Sequence, residues 1–332
     1  MERHSFPPPV KDSGSTVSAP TNSSPPIKGE TLPLRGFVML ALLSVIWGIN
    51  WPIIKFALTE VPVFSFRAIC LIGGGLGLLA LARIGGYSIR MPRHTFKISI
   101  ISAFFNVTGW HIMSGFAVAA ISSGHAAIIG YTMPVWGVLL GALVLRERLT
   151  WRRALSLALG MAGLAVLAHG ELREVSGVPY GALLMAGAAL SWGIGTIIMK
   201  KVDWGAPIAV VVAWQCLIGV VPILGGALIF DREAIHWPSL WPLLAVIYNL
   251  IFAFVIGHYL YYKVVSIFPV GVATIGTLAI PVLGLLSGAF ALGEPIGALE
   301  ISALVLVVCA LALPIVTQPR SLGLTWPRRI NR

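Results

Sequence analysis

Lys55, Arg67, His111 and His258 stand inside otherwise apolar sequence, and their side chains are the best equipped in this chain for chemistry. An ionisable group in such a setting is costly unless it pairs, hydrogen-bonds or serves a solute. Lysine and arginine attract a carboxylate through charge-assisted hydrogen bonds. An imidazole titrates near neutral pH, so it carries a proton, hydrogen-bonds a solute or simply bonds within a bundle. Lys55 has the plain alternative of snorkelling to water, and Arg67 that of bonding a loop carbonyl. No Asp or Glu joins them, which removes the material for a carboxylate proton relay or a metal site. No nucleophile–base pair and no G-x-x-x-x-G-K-[ST] loop occur, so neither covalent catalysis nor ATP hydrolysis is expected, and no cofactor is implied.

Trp47, Asn50, Trp51 and Lys55 recur at intervals of three and four, which gathers them on one helical face. That face is too polar for lipid and is expected to line the interior of a bundle. Asn106, Trp110 and His111 belong to a later run, followed by Tyr131. The second half supplies Trp192, Trp214, Gln215, Asn249 and His258. Aromatic walls hold flat or cationic solutes, and an amide both donates and accepts. Together these residues are the candidate substrate-binding set, although Trp47 and Trp192 fit a packing role equally well. Trp237, Trp241, Tyr261 and Tyr262 read instead as a membrane-interface belt.

The composition says what must position such groups. The chain is 57% hydrophobic and 11% charged over 332 residues, whereas soluble domains carry about 25% charged residues. A spanning helix takes roughly 20 apolar residues. Runs of that kind fall near 36–57, 63–83, 97–119, 124–145 and 152–169, then near 179–199, 207–230, 240–263, 270–292 and 297–317. The expectation is an all-α integral membrane protein with ten transmembrane helices. Residues 1–33 read as a disordered tail and 319–332 as a basic one. Cys70, Cys216 and Cys309 fall inside helical runs, so buried thiols are expected rather than a disulfide or a metal site.

The net charge of +11 looks at first like a nucleic-acid signal. Its distribution argues otherwise. With the N-terminus in the cytoplasm, Arg83, Arg90, Arg93, Lys97, Arg146, Arg148, Arg152 and Arg153 all fall in internal loops, while external loops hold only Arg173 and Arg232. That asymmetry is the positive-inside signature, and it predicts both termini in the cytoplasm.

A second regularity is internal. "PVWGVLLGALVLRE" (134–147) and "PVLGLLSGAFALGE" (281–294) agree at eight of fourteen positions, a displacement of 147 residues that also carries His111 onto His258 and Gly124 onto Gly271. A displacement of 145 aligns "WGINWPIIK" (47–55) with "WGIGTIIMK" (192–200). Two five-helix halves, 34–170 and 178–318, are therefore expected. Five being odd, the second half enters the membrane from the opposite side, the inverted repeat of many secondary transporters, with a site near the midplane. Pro134 and Pro281 free the carbonyls of Gly130 and Thr277 and suggest kinked, flexing helices, or fixed kinks. Gly137/Gly141 and Gly284/Gly288 suit close helix approach. Glu147 and Glu294 stand just before a helix start and read as structural caps there.

These residues resemble the drug/metabolite transporter superfamily, EamA branch, across about 285 residues. The resemblance implies a carrier, commonly an exporter, of amino acids or other small metabolites in a bacterial inner membrane. Importers and exchangers of nucleosides, nucleotide-sugars or phosphate esters belong to the same superfamily and stay open. Phe66–Arg67 is answered by Trp214–Gln215, so the halves differ in charge. The expected partners are a small-molecule substrate and the lipid bilayer, with no nucleic acid, in a monomer or homodimer.

Overall fold

A computed structural model describes residues 34–144, 151–174, 180–234, 236–267, 277 and 279–316. Among these residues the protein is helical throughout and forms no strand. In chain order the helices are α1 (Leu34–Ala57), α2 (Val63–Ile84), α3 (96–120), α4 (123–144), α5 (Trp151–Glu174), α6 (Tyr180–Lys201), α7 (208–231), α8 (240–267), α9 (Ala279–Leu292) and α10 (Ala298–Val316). Six stretches are long and apolar enough to cross a membrane: Leu34–Ala57, Val63–Ile84, Ser123–Val144, Tyr180–Lys201, Ile208–Asp231 and Leu240–Tyr261. Ala154–Leu167, Ala279–Leu292 and Ala298–Leu313 are shorter apolar segments.

Helices of the first and second halves of the chain pair with each other. Extensive contacts join α5 to α10, α2 to α7, α3 to α6, α1 to α8, α4 to α6 and α1 to α9. Small residues make the approach possible. A Cβ at Gly284 would lie 2.7 Å from Ala127 Cβ and 3.2 Å from a ring carbon of Trp51. A Cβ at Gly288 would collide with the Glu294 carboxylate and the Ser123 hydroxyl. Gly137 differs from the expectation: among the described residues nothing lies within 4 Å of its would-be Cβ.

Breaks and wide turns shape the interior. α4 breaks at Tyr131–Thr132, just ahead of Pro134, because proline has no N–H to return to Gly130. Thr132 mends the end locally, its Oγ1 donating to Ile129 O at 2.6 Å. α3 and α8 each contain a π-helical stretch, Phe104–Gly109 and Asn249–Ile256. Such wide turns release carbonyls from the regular ladder, and inside a membrane those carbonyls need other donors. Ser191 Oγ donates to Phe105 O at 2.8 Å, and Trp47 Nε1 donates to Ala253 O at 2.9 Å.

Candidate functional site

The two sequence-matched histidines follow the π stretches of α3 and α8, each by two residues: His111 after Gly109 and His258 after Ile256. They stack on one ring. His111 lies 5.7 Å from Phe254, and Phe254 lies 5.1 Å from His258, centroid to centroid. His258 Nδ1 is 2.7 Å from Phe254 O, one helical turn back. Trp47 closes the series, edge-on to His258 at 5.6 Å and stacked on Tyr261 at 5.7 Å. Tyr261 is therefore a wall residue on this face as well as a partly exposed one, where the sequence suggested a membrane belt. Phe254 is missing from the candidate set; its place four residues before His258, on the same helical face, is the signal that would have named it.

Beside this ladder, Asn249 Nδ2 donates to Asn50 Oδ1 at 2.7 Å, tying α8 to α1. Tyr248 Oη donates to Ile46 O at 3.0 Å in the same seam. Asn249 is 2% exposed, so this amide pair is a satisfied polar contact in the protein interior. A second amide pair lies between α3 and α7, where Asn106 Nδ2 donates to Ser102 Oγ at 3.2 Å and approaches Gln215 Oε1 at 3.5 Å. A side chain at Gly195 would strike Asn106, so α6 packs directly over this pair. Trp110 and Trp192 meet edge to face at 5.2 Å.

Other members of the candidate set make other contacts. Trp214 Nε1 donates to Ile89 O at 2.8 Å, in the segment joining α2 and α3. Tyr131 stands at the break in α4, packs against the main core and lies within electrostatic reach of Tyr261. Trp51 is 8% exposed and faces Gly130 and Gly284, a packing position. Pro134 is exposed and Pro281 is buried, so the two repeat-matched prolines sit in unlike surroundings. Cys70 and Cys216 are buried free thiols, while Cys309 is exposed.

Lys55 points to one end of the bundle. Its ammonium donates to Ile121 O and lies 3.8 Å from Glu294 Oε1. Glu294 does not cap the helix that follows it. Its Oε1 accepts the Ser123 N–H at 2.7 Å, and its Oε2 accepts Ser123 Oγ at 2.7 Å and the Gly124 N–H at 3.1 Å, so it caps α4. The reason is local. "PIG" (295–297) delays α10 until Ala298, and Glu300 bonds the Gly297 N–H at 2.7 Å in its place. Gly293, at φ 67°, ends α9 in the left-handed region and turns Glu294 toward α4. Glu147 lies outside the described residues.

The same device recurs twice. Asp231 Oδ2 accepts the Ser65 N–H at 2.7 Å and Ser65 Oγ at 2.8 Å, at the start of α2. Glu60 accepts the Ser239 N–H at 2.6 Å and Ser239 Oγ at 2.7 Å, at the start of α8. Carboxylates suit helix N-termini because free N–H groups and the positive dipole end meet there. Each of these three clasps joins a carboxylate to a serine at the start of another helix. A shallow cavity of about 380 Å³ opens beside the Lys55–Glu294 clasp, walled by Phe56, Thr59, Ile121 and Leu292.

Comparisons agree with this architecture. The model of the EamA-like transporter family matches residues 34–168 and again 179–316. "Uncharacterized transporter YvbV" of Bacillus subtilis is 28% identical, over 84% of this chain and 91% of that protein. A "Probable amino-acid metabolite efflux pump" of Escherichia coli is 24% identical, over 89% of this chain and 97% of its own. A solved crystal structure with 22% identity superposes at a TM-score of 0.59, covering 84% of this chain and 96% of the other, which shows a shared fold. A chain matched by one family model over nearly all its helices belongs to that family: this protein is a member of the EamA-like transporter family.

Proposed function

We propose that the protein is a secondary exporter of small metabolites, amino acids first among them, working by alternating access between two inverted five-helix repeats. Ten membrane crossings with both termini in the cytoplasm of a bacterial cell complete the reading, on the Lys/Arg distribution described above. The observation that carries it is the seam between halves: α1 meets α8 through Asn50–Asn249, and α3 meets α8 through His111–Phe254–His258. Polar and aromatic groups from both halves meeting inside an apolar bundle are what a midplane site requires. The contact pattern adds support, since exchanging the halves maps the α1–α9 pairing onto α6–α4 and leaves α2–α7 and α5–α10 unchanged. The amino-acid choice draws on the efflux pump named above and on the cationic, amide and aromatic character of the interior.

Counterflow in proteoliposomes tests the reading. Uptake of a labelled amino acid is expected to accelerate when the vesicles are preloaded with unlabelled amino acid, because a carrier returns faster when occupied. A panel of neutral, acidic and aromatic amino acids, run beside nucleosides, identifies the class. No acceleration with any member of the panel overturns the assignment.

A further inference from the structure

Arg67 is 4% exposed and lies on the inner face of α2, four residues, about 6 Å, beyond Val63. A guanidinium presents five N–H donors. Here one contact is made: Nη2 donates to Ser114 Oγ at 3.2 Å. Nε is buried without a hydrogen-bond partner, and no described carboxylate forms an ion pair with the group. Its guanidinium carbon sits 5.4 Å from the Phe66 ring, which shields it further. A buried cation with so little compensation is a large deficit, one that structural ion pairs elsewhere in proteins do not leave open.

The deficit has a neighbour. His111, Ser114 and Gly115 share one face of α3, at intervals of three and four. A Cβ at Gly115 would lie 3.3 Å from Arg67 Nε, so the missing side chain is what lets the guanidinium lie along α3. His111 is 8% exposed, close enough for the Arg67 charge to act on its ring, and its Nδ1 is also buried without a partner. Two unpartnered polar atoms, one on a permanent cation and one on an imidazole, thus belong to neighbouring side chains, the imidazole stacked on Phe254.

We propose that Arg67 and His111 form the binding site for the carboxylate of the transported solute. One carboxylate oxygen accepts from the guanidinium edge, the other from the imidazole N–H, and the apolar remainder of the solute packs toward Phe254. A single guanidinium suits a monoanion; a phosphate ester calls for several converging cations, which this part of the interior does not offer. The assignment rests on the transport reading for what delivers the carboxylate, and its test reads equilibrium binding alone.

The test uses purified full-length protein in detergent, with the thermal unfolding midpoint titrated at fixed chloride by benzoate against benzamide and by L-phenylalanine against L-phenylalaninamide. Each acid is expected to bind wild type about tenfold or more tightly than its amide, the factor a charge-assisted hydrogen bond carries. Arg67→Gln is expected to erase that preference. His111→Phe keeps a ring against Phe254 and is expected to weaken acid binding severalfold while retaining the preference. Equal responses to acid and amide in wild type, no response to any of the four, or an undiminished preference in Arg67→Gln overturns the proposal. Should the Gln variant not fold, Arg67→Lys carries the test, because an ammonium lacks the planar two-donor edge and wild-type affinity there overturns the site. Counterflow is read separately: a protein that binds acids at Arg67 and moves nothing retires the transport reading and leaves this site standing.

Discussion

Glu294, just past the end of α9, holds the first N–H groups of α4 through Ser123, 171 residues earlier in the chain, with both carboxylate oxygens 2.7 Å from Ser123 atoms. Lys55 completes the clasp from α1. One charged group therefore fixes three helices at one end of the bundle. If a path through the bundle opens at that end, the clasp has to let go.

Glu294→Gln removes the charge and keeps the shape. It is expected to cost about 2 kcal/mol of stability, the value of charge-assisted bonds at a helix start. In a Cys309→Ser background, a cysteine placed at Ala120 beside the cavity is expected to react severalfold faster with a membrane-impermeant maleimide when Glu294 is Gln. Equal labelling rates would mean that the clasp is static.

The amide seam offers a cleaner energy. Asn50→Ala and Asn249→Ala are each expected to destabilise the protein, and the double variant by about 1 kcal/mol less than the two summed, since one hydrogen bond joins them. Chemical unfolding in detergent measures this cycle. Strict additivity would mean the two amides act independently.

Glu60 gives a pH signature outside the membrane. Its bonds from the Ser239 hydroxyl and N–H hold the carboxyl below the usual carboxylate range. A depressed folded value stabilises above the unfolded pKa of about 4.3 and is lost as pH falls through the folded value. Wild type is expected to lose its advantage over Glu60→Gln as thermal midpoints are followed from pH 6 down to pH 3. A gap that stays constant over that range contradicts the clasp.

The prolines mark a kinetic prediction. α4 is already broken at Tyr131–Thr132, so Pro134→Ala restores the missing N–H and favours a continuous rod. Pro281 lies in the first turn of α9, where a missing N–H costs little, and its ring is buried. Both alanine variants are expected to fold and to slow counterflow severalfold, Pro134→Ala more than Pro281→Ala. Unchanged initial rates in both would assign the prolines to packing.

Much of this was written in one dimension. Helices, their apolar faces and the matched histidines are local or periodic properties, so spacing and hydropathy reveal them in "WGINWPIIK" and in its later echo. The near-coincidence of Trp47, Asn50 and the α8 polar groups followed from helical periodicity alone on the α1 side. What tertiary structure decided was which group meets which. Glu294 looked like the cap of its own next helix, yet the nearest free N–H groups in space belonged to α4, because "PIG" delayed α10 and Gly293 turned the chain away. Trp214 looked like a wall of the site and instead bonds Ile89 O. Arg67 sat in plain view, but nothing in its neighbours in sequence said that its Nε would be left without a partner. Hydrogen bonds between helices depend on rotation and register to within an ångström, and packing of the whole bundle sets those.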